Sequence, residues 1–223
     1  LPGNVFTNTT SEVTGEITGL PVTGDPASDD LRVDLQTFSN SFGSPAAATG
    51  SVVLSFTITN LDSVNAVTGI AFSDNLDDVI PGLQATGVPI SNVCGPGSEL
   101  SGSSFLTMTG GFLPASGSCT FDVTLAVPAA ASPGSFGNTT SALTASGLPI
   151  SDPVSDSLTI EPPPTFAKAF SPGFIGLGLS STLTFTIDNS ASALAAGNLV
   201  FTDNLPAGVT VASPTNASTT CTG

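Results

Sequence analysis

The chain repeats itself over a distance the size of a β-sandwich domain. TFSNSF at Thr37–Phe42 returns as TFAKAF at Thr165–Phe170, and SVVLSFTITN at Ser51–Asn60 returns as SSTLTFTIDN at Ser180–Asn189. FSDNL at Phe72–Leu76 answers FTDNL at Phe201–Leu205. PGNVFTNTT at Pro2–Thr10 answers PGSFGNTT at Pro133–Thr140, and Gly19-Leu20-Pro21 answers Gly147-Leu148-Pro149. The offset is 128 from Thr37 to Thr165, 129 from Phe56 to Phe185 and 130 from Asn8 to Asn138. Such a period fits one sandwich and is far too long for a solenoid repeat. In this register residues 1–36 are the closing strands of one unit, 37–161 a complete unit, and 162–223 the opening strands of a third. Glu161-Pro162-Pro163-Pro164 is a stiff, extended joint, because proline fixes φ. The matching place, Val33-Asp34-Leu35-Gln36, has no proline and is expected to run on as a strand.

The residues inside each repeat specify short strands. In Ser51–Asn60, Val52, Leu54, Phe56 and Ile58 alternate with Val53, Ser55, Thr57 and Thr59, the period-2 pattern of a half-buried strand. STLTFTIDN sets Leu183, Phe185 and Ile187 on one face, and CTFDVTLAV does the same with Phe121, Val123, Leu125 and Val127. SDSLTI, TGIAFSDNL and NLVFTDNL read as shorter strands. With 24 Gly and 18 Pro as punctuation, no stretch carries helical periodicity and caps over 10–12 residues. The expectation is all-β: tandem Ig-like β-sandwiches, one complete unit flanked by two partial ones, with Phe56, Ile58, Phe121, Val123 and Leu125 in the central core.

Charge excludes whole classes of function. Two Lys+Arg stand against 17 Asp+Glu, a net charge of −15. Two cations cannot neutralise a row of phosphates, so neither nucleic acid nor an anionic membrane is a partner. No apolar run approaches the roughly 18 residues of a membrane-spanning helix, so no membrane insertion is expected in this segment. The chain has no His, hence neither the commonest general base nor the commonest metal ligand. No nucleophile–base pair is available, and paired carboxylates would lack the Trp and Tyr platforms that sugars use. The reading is no enzyme and no cofactor.

Cysteine spacing repeats too. Cys221 stands one such period after Cys94, and Cys119 shares a unit with Cys94. A Cys94–Cys119 disulfide is expected, with Cys221 as half of a bridge whose partner lies outside the chain. Three buried free thiols are the alternative. A bridge implies an oxidising compartment, extracellular or at the cell surface.

CGPG, then SFLTMTGGFLPASGSCTFDVTLAV, then PGSFGNTTSAL resembles the cysteine-bearing form of a conserved repeat in large bacterial surface and secreted proteins. FAKAFSPGFIGLGLSSTLTFTIDN followed by FTDNLPAGVTV is similar to the opening of the same repeat. The resemblance covers nearly the whole chain. It implies an Ig-like sandwich of a domain family of unknown function, whose members serve mostly as stalks, spacers and fibre segments. The central unit departs from the third at Asn40, where the third has Lys168, and at DNLDDVIPGL, where the third has DNLPAGV.

Several residues are candidates for sites. Asp74, Asp77 and Asp78 could offer Ca²⁺ hard oxygen ligands at close spacing. The bland alternative, which the third unit's loss of the two later Asp favours, is a solvated turn with Asp74 and Asn75 bonding backbone N–H groups. Asp25, Asp29 and Asp30, with Asp152 and Asp156 as their thinner counterpart, read as loops, with Ca²⁺ binding as the lesser alternative. Lys168, the one lysine, could form an amide crosslink with Asp188, Asn189, Asp203 or Asn204. The favoured reading is an ordinary exposed lysine. Asn8, Asn138 and Asn216 fit the N-x-[ST] glycosylation pattern, although at the two NTT sites a structural role for the Asn is preferred.

The functional expectation is a structural segment in the shaft of an extracellular fibre, stalk or filament. Its partners would be neighbouring repeats of the same polypeptide or identical chains in a fibre. The rival is an adhesin module gripping carbohydrate or protein through its loops. The sequence is expected to be a window on a longer polypeptide. Polymerisation by strand donation is disfavoured, because the joined ends would lack the counterpart of 97–130 and its second cysteine.

Overall fold

The computed structural model describes residues 4–33 and 35–221. They divide into two compact units, 1–161 and 162–223. Nearly all regular structure is β. The single helix among the described residues, α1 (Leu76–Val79), is one turn long.

The first unit opens with two nested antiparallel hairpins. The outer pairs β1 (Asn4–Thr9) with β4 (Ser28–Val33), and the inner pairs β2 (Val13–Ile17) with β3 (Leu20–Gly24). Apart from Gly24, every described residue from 6 to 30 is exposed. The expected strand through 33–36 is not continuous. β5 (Gln36–Phe42) starts anew after a bend at Leu35, and Asp34 lies outside the described residues.

From β5 the chain builds a two-layer sandwich. β6 (Ser51–Asn60) pairs with β5 on one side and with β12 (Ser118–Ala126) on the other; β8 (Gln84–Thr86) completes this sheet. The second sheet centres on β7 (Val67–Asn75), flanked by β11 (Phe105–Leu113) and β14 (Leu143–Ala145). It extends through β15 (Leu148–Ser151) at one edge and through β10 (Glu99–Ser101) and β9 (Ile90–Ser91) at the other. A separate pair, β13 (Gly134–Thr139) and β16 (Ser155–Ile160), returns toward β5, where Ala46 bridges Ile160 in parallel.

The alternating residues form the core as read. Phe56, Ile58 and Leu125 are fully buried, and Val123 and Phe121 nearly so. Phe56 faces Phe121 in register and packs against Phe38 and Phe72. Each such aromatic pair adds roughly 0.5–1.5 kcal/mol beyond its buried area. The opposite face of β6 and β12 is laced by hydroxyls. Thr57 Oγ1 meets Thr120 Oγ1 at 2.9 Å, Thr59 Oγ1 meets Ser118 Oγ at 3.1 Å, and the Ser55 hydroxyl donates to Asp122 at 2.6 Å.

The second unit holds one antiparallel pair, β17 (Thr165–Ser171) and β18 (Thr182–Asp188). The expected strand NLVFTDNL, 198–205, does not form there. Its counterpart β7 is held on both sides, by β11 and β14. The described residues of the second unit provide no such partners, and an unpaired strand leaves its amides and carbonyls to water. A groove of about 220 Å³ opens between Phe166, Ile187, Leu199 and Phe201.

Candidate functional site

The most constrained chemistry in the first unit is a crosslink and a buried polar junction. Cys94 and Cys119 form a disulfide with Cα atoms 5.5 Å apart. Cys119 sits on β12 of one sheet, and Cys94 in the loop between β9 and β10 of the other, so the bridge clamps the two layers. The loop is pinned by its own hydrogen bonds. The Cys94 N–H donates to Ser98 Oγ at 2.8 Å, that hydroxyl donates to the Gly95 carbonyl at 2.7 Å, and the Phe112 N–H donates to the Cys94 carbonyl at 2.8 Å. Gly95 has φ +92°, and a Cβ there would lie 2.9 Å from the Phe112 carbonyl oxygen, which explains the CG of the motif. Closing a loop of this size contributes about 3 kcal/mol in the chain-entropy account. Cys221 carries an exposed free thiol.

The polar junction lies at one end of the core. Asp74, on the inward face of β7 two residues after Phe72, is 1% exposed. Asn138 on β13, equally buried, donates its amide to Asp74 Oδ2 at 2.8 Å. Burial raises the Asp74 carboxyl above its ordinary value, and the Asn138 hydrogen bond opposes part of that rise. Asn40, on the inward face of β5 two residues after Phe38, is also buried.

These positions correct several expectations. Asp74 is not on a solvated turn. Alternation carries it inward, so its carboxylate bonds Asn138 in the core. Asp77 and Asp78 are exposed on α1, where the Asp77 carboxylate accepts the Gly82 N–H at 2.8 Å. The three Asp residues therefore do not converge on one point. Among the described residues no group of three or more His, Cys, Asp or Glu could hold a metal. Asp29, Asp30 and Asp156 lie on strands β4 and β16 rather than in loops, while Asp25 and Asp152 are in loops. The Asp156 carboxylate accepts the Phe42 N–H at 2.7 Å, tying β16 to β5.

The two NTT motifs have a structural use. Thr140 N–H donates to the Val154 carbonyl at 3.0 Å and the Val154 N–H to Thr140 Oγ1 at 3.2 Å. Thr10 and Ala27 repeat the exchange at 2.8 and 3.0 Å. The threonine hydroxyl thus closes a hairpin in both places. Asn138 is corrected as a glycan acceptor, since its amide is buried and engaged. Asn8 and Asn216 are exposed.

Lys168 on β17 reaches Asp203, with Nζ 2.6 Å from Oδ1. It meets neither Asp188, whose carboxylate accepts the Ser190 N–H, nor Asn189, whose amide donates to the Leu194 carbonyl. Both members of the ion pair are partly exposed.

The two units share an aromatic framework. Ring centroids lie 6.3, 4.8 and 4.8 Å apart for Phe38–Phe56, Phe38–Phe72 and Phe56–Phe72. The equivalent pairs, Phe166–Phe185, Phe166–Phe201 and Phe185–Phe201, measure 6.0, 4.9 and 4.8 Å. This is a β-sandwich protein built on a recurring scaffold. Its sequence matches one family twice, at residues 37–160 and 164–223, and the chain belongs to that family, described as "Domain of unknown function (DUF7933)". Comparison with curated proteins gives no match. Among solved structures, one similar chain is a family 123 glycoside hydrolase from Clostridium perfringens, studied for glycolipid glycan hydrolysis. Identity is 15%, the TM-score is 0.32, and the match covers 56% of this chain and 27% of that one. Just over half of this chain thus corresponds to about a quarter of that one, and so loose a likeness carries no argument about activity.

Proposed function

We propose that the chain is a structural segment of a secreted or cell-surface protein, part of the shaft of an extracellular fibre, stalk or filament. The observation that carries this reading is the recurrence of one aromatic scaffold at a sandwich-sized period. Tandem repetition lengthens a chain without adding a new chemistry. The disulfide across the two sheets supports an oxidising, extracellular setting. The resemblance of CGPG, LPASGSC and GSFGNTT to an Ig-like repeat of large bacterial surface proteins supports a stalk or fibre role. Partners on this reading are neighbouring repeats or identical chains, and no catalysis is involved.

The test is immunogold labelling of intact producing cells and their shed fibres with an antibody raised against this chain. The expected result is label along extracellular fibres at regular intervals. Label confined to the cell interior would overturn the proposal. Saturable binding of the isolated chain to arrayed glycans, without fibre labelling, would favour an adhesin module instead.

A further inference from the structure

Among the described residues, five buried side-chain atoms of the first unit have no hydrogen-bond partner: Gln36 Oε1, Asn40 Nδ2 and Oδ1, Asp74 Oδ1, and Asn138 Oδ1. Native cores leave few such atoms unpaired, and a bound water or ion is one way of satisfying a group of them. Two of the residues, Asp74 and Asn138, touch, and the aromatic frame sets a third on the sheet across from them. Asn40 stands on the opposing sheet, two residues along from a phenylalanine that packs on the one preceding Asp74 by two.

The second unit shows what this spot can contain. Lys168 follows Phe166 by two residues and Asp203 follows Phe201 by two, on the same aromatic frame. There an ammonium nitrogen sits 2.6 Å from the carboxylate. Asn at the lysine position ends two atoms sooner, and so retreats by about 2.5 Å. Transferred to the second unit's geometry, such a retreat opens a gap of about 5 Å between amide and carboxylate, the span of one particle touching both at hydrogen-bond or ion–oxygen distance. The unpaired atoms of these three residues are two amide oxygens, one carboxylate oxygen and the Asn40 amide nitrogen. One buried negative charge matches a singly charged ion. A divalent ion would call for more carboxylates.

We propose that Asn40, Asp74 and Asn138 form a site for one monovalent cation of potassium or ammonium size, in the place that the Lys168 ammonium group holds in the second unit. The cation neutralises the Asp74 carboxylate and takes up the amide oxygens that the protein leaves unpaired.

The experiment is thermal unfolding of the full chain at fixed ionic strength and pH 7, in potassium, ammonium or choline chloride. The expected result is a saturable rise of about 2–4 °C in potassium or ammonium over choline. Asn40→Lys should abolish the ion dependence while keeping the higher Tm, because its own ammonium group fills the site. Asp74→Asn should abolish the dependence as well, and if that variant fails to fold, Asn40→Lys alone decides. Equal Tm in all three salts would overturn the proposal. So would crystals soaked in thallium or rubidium that show a water only, with no anomalous peak between Asn40 and Asp74. A Tm that responds to pH but not to the ion would assign the neutralising role to a proton, and would also overturn it.

Discussion

The two units repeat one frame and diverge beside it. The largest change among the three ring separations is from 6.3 Å in the first unit to 6.0 Å in the second. Two residues further along the chain from the corresponding phenylalanines, a buried Asn and Asp in the first unit become a partly exposed Lys–Asp pair in the second. Phenylalanine fixes the geometry because its area is large and its shape admits few packings. The polar pair differs in charge: Lys168 neutralises Asp203 within the chain, whereas Asn40 brings no charge to Asp74. The frame is also closed to different degrees. Phe56 is fully buried, whereas its counterpart Phe185 is half-buried.

The sharpest break in the comparison is therefore truncation of equivalent rings. Phe56→Ala should cost about 3–5 kcal/mol, through lost transfer energy plus a cavity. Phe185→Ala should cost only ~1–2 kcal/mol, because less area returns to water. Urea unfolding followed by hydrogen exchange in β6 and in β18 reads the two separately. Equal losses would show that the second frame is as closed as the first.

Next in size is the clip. Replacing Cys94 and Cys119 by Ala should lower the stability of the first unit by about 3 kcal/mol. Exchange protection in β17 and β18 should not change. Loss of protection in both units would mean that they unfold as one.

Asn138→Ala removes the side-chain donor that reaches the buried Asp74 carboxylate. A cost of about 1–3 kcal/mol is expected. Asn8→Ala, at the exposed equivalent, should stay within ~0.5 kcal/mol. Calorimetry of the two variants side by side tests whether one motif has two weights in its two settings.

The smallest expected effect is a pH slope. Burial raises the Asp74 carboxyl in the folded state, so the fold holds that proton more tightly than the unfolded chain does. The associated stability is fully present below the ordinary carboxylate value of 3.8 and is lost as pH rises through the folded-state pKa. In choline buffer, wild type should lose stability relative to Asp74→Asn from about pH 4 upward, then level off. A difference that grows in the opposite direction would contradict burial as the dominant cause.

Alternation makes the strands readable, since β6, β12 and β18 carry their periodicity in adjacent residues. The disulfide is readable because the spacing of Cys94 recurs at Cys221. Asp74 reads as solvated because DNLDD looks like a polar turn. The opposing signal is nonetheless present: Phe72 points inward, and a period of two takes Asp74 with it. Asn138 is hidden for a different reason. Its partner lies 64 residues away on another sheet, and nothing local announces such a pairing. The missing strand at 198–205 marks the limit of pattern reading, because propensity forms a strand only where neighbours complete its ladder.

The hydroxyl ladder on the outer face of β6 and β12 has its own consequence. Three cross-strand contacts there rest on serine and threonine, with a single carboxylate among them. Salt weakens attraction between ions, and at 1 M the screening length shrinks to about 3 Å. Two hydroxyls sharing a proton offer nothing to screen. A face stitched in this way keeps its cohesion from fresh water to brine, where a surface laced by lysine and glutamate would loosen.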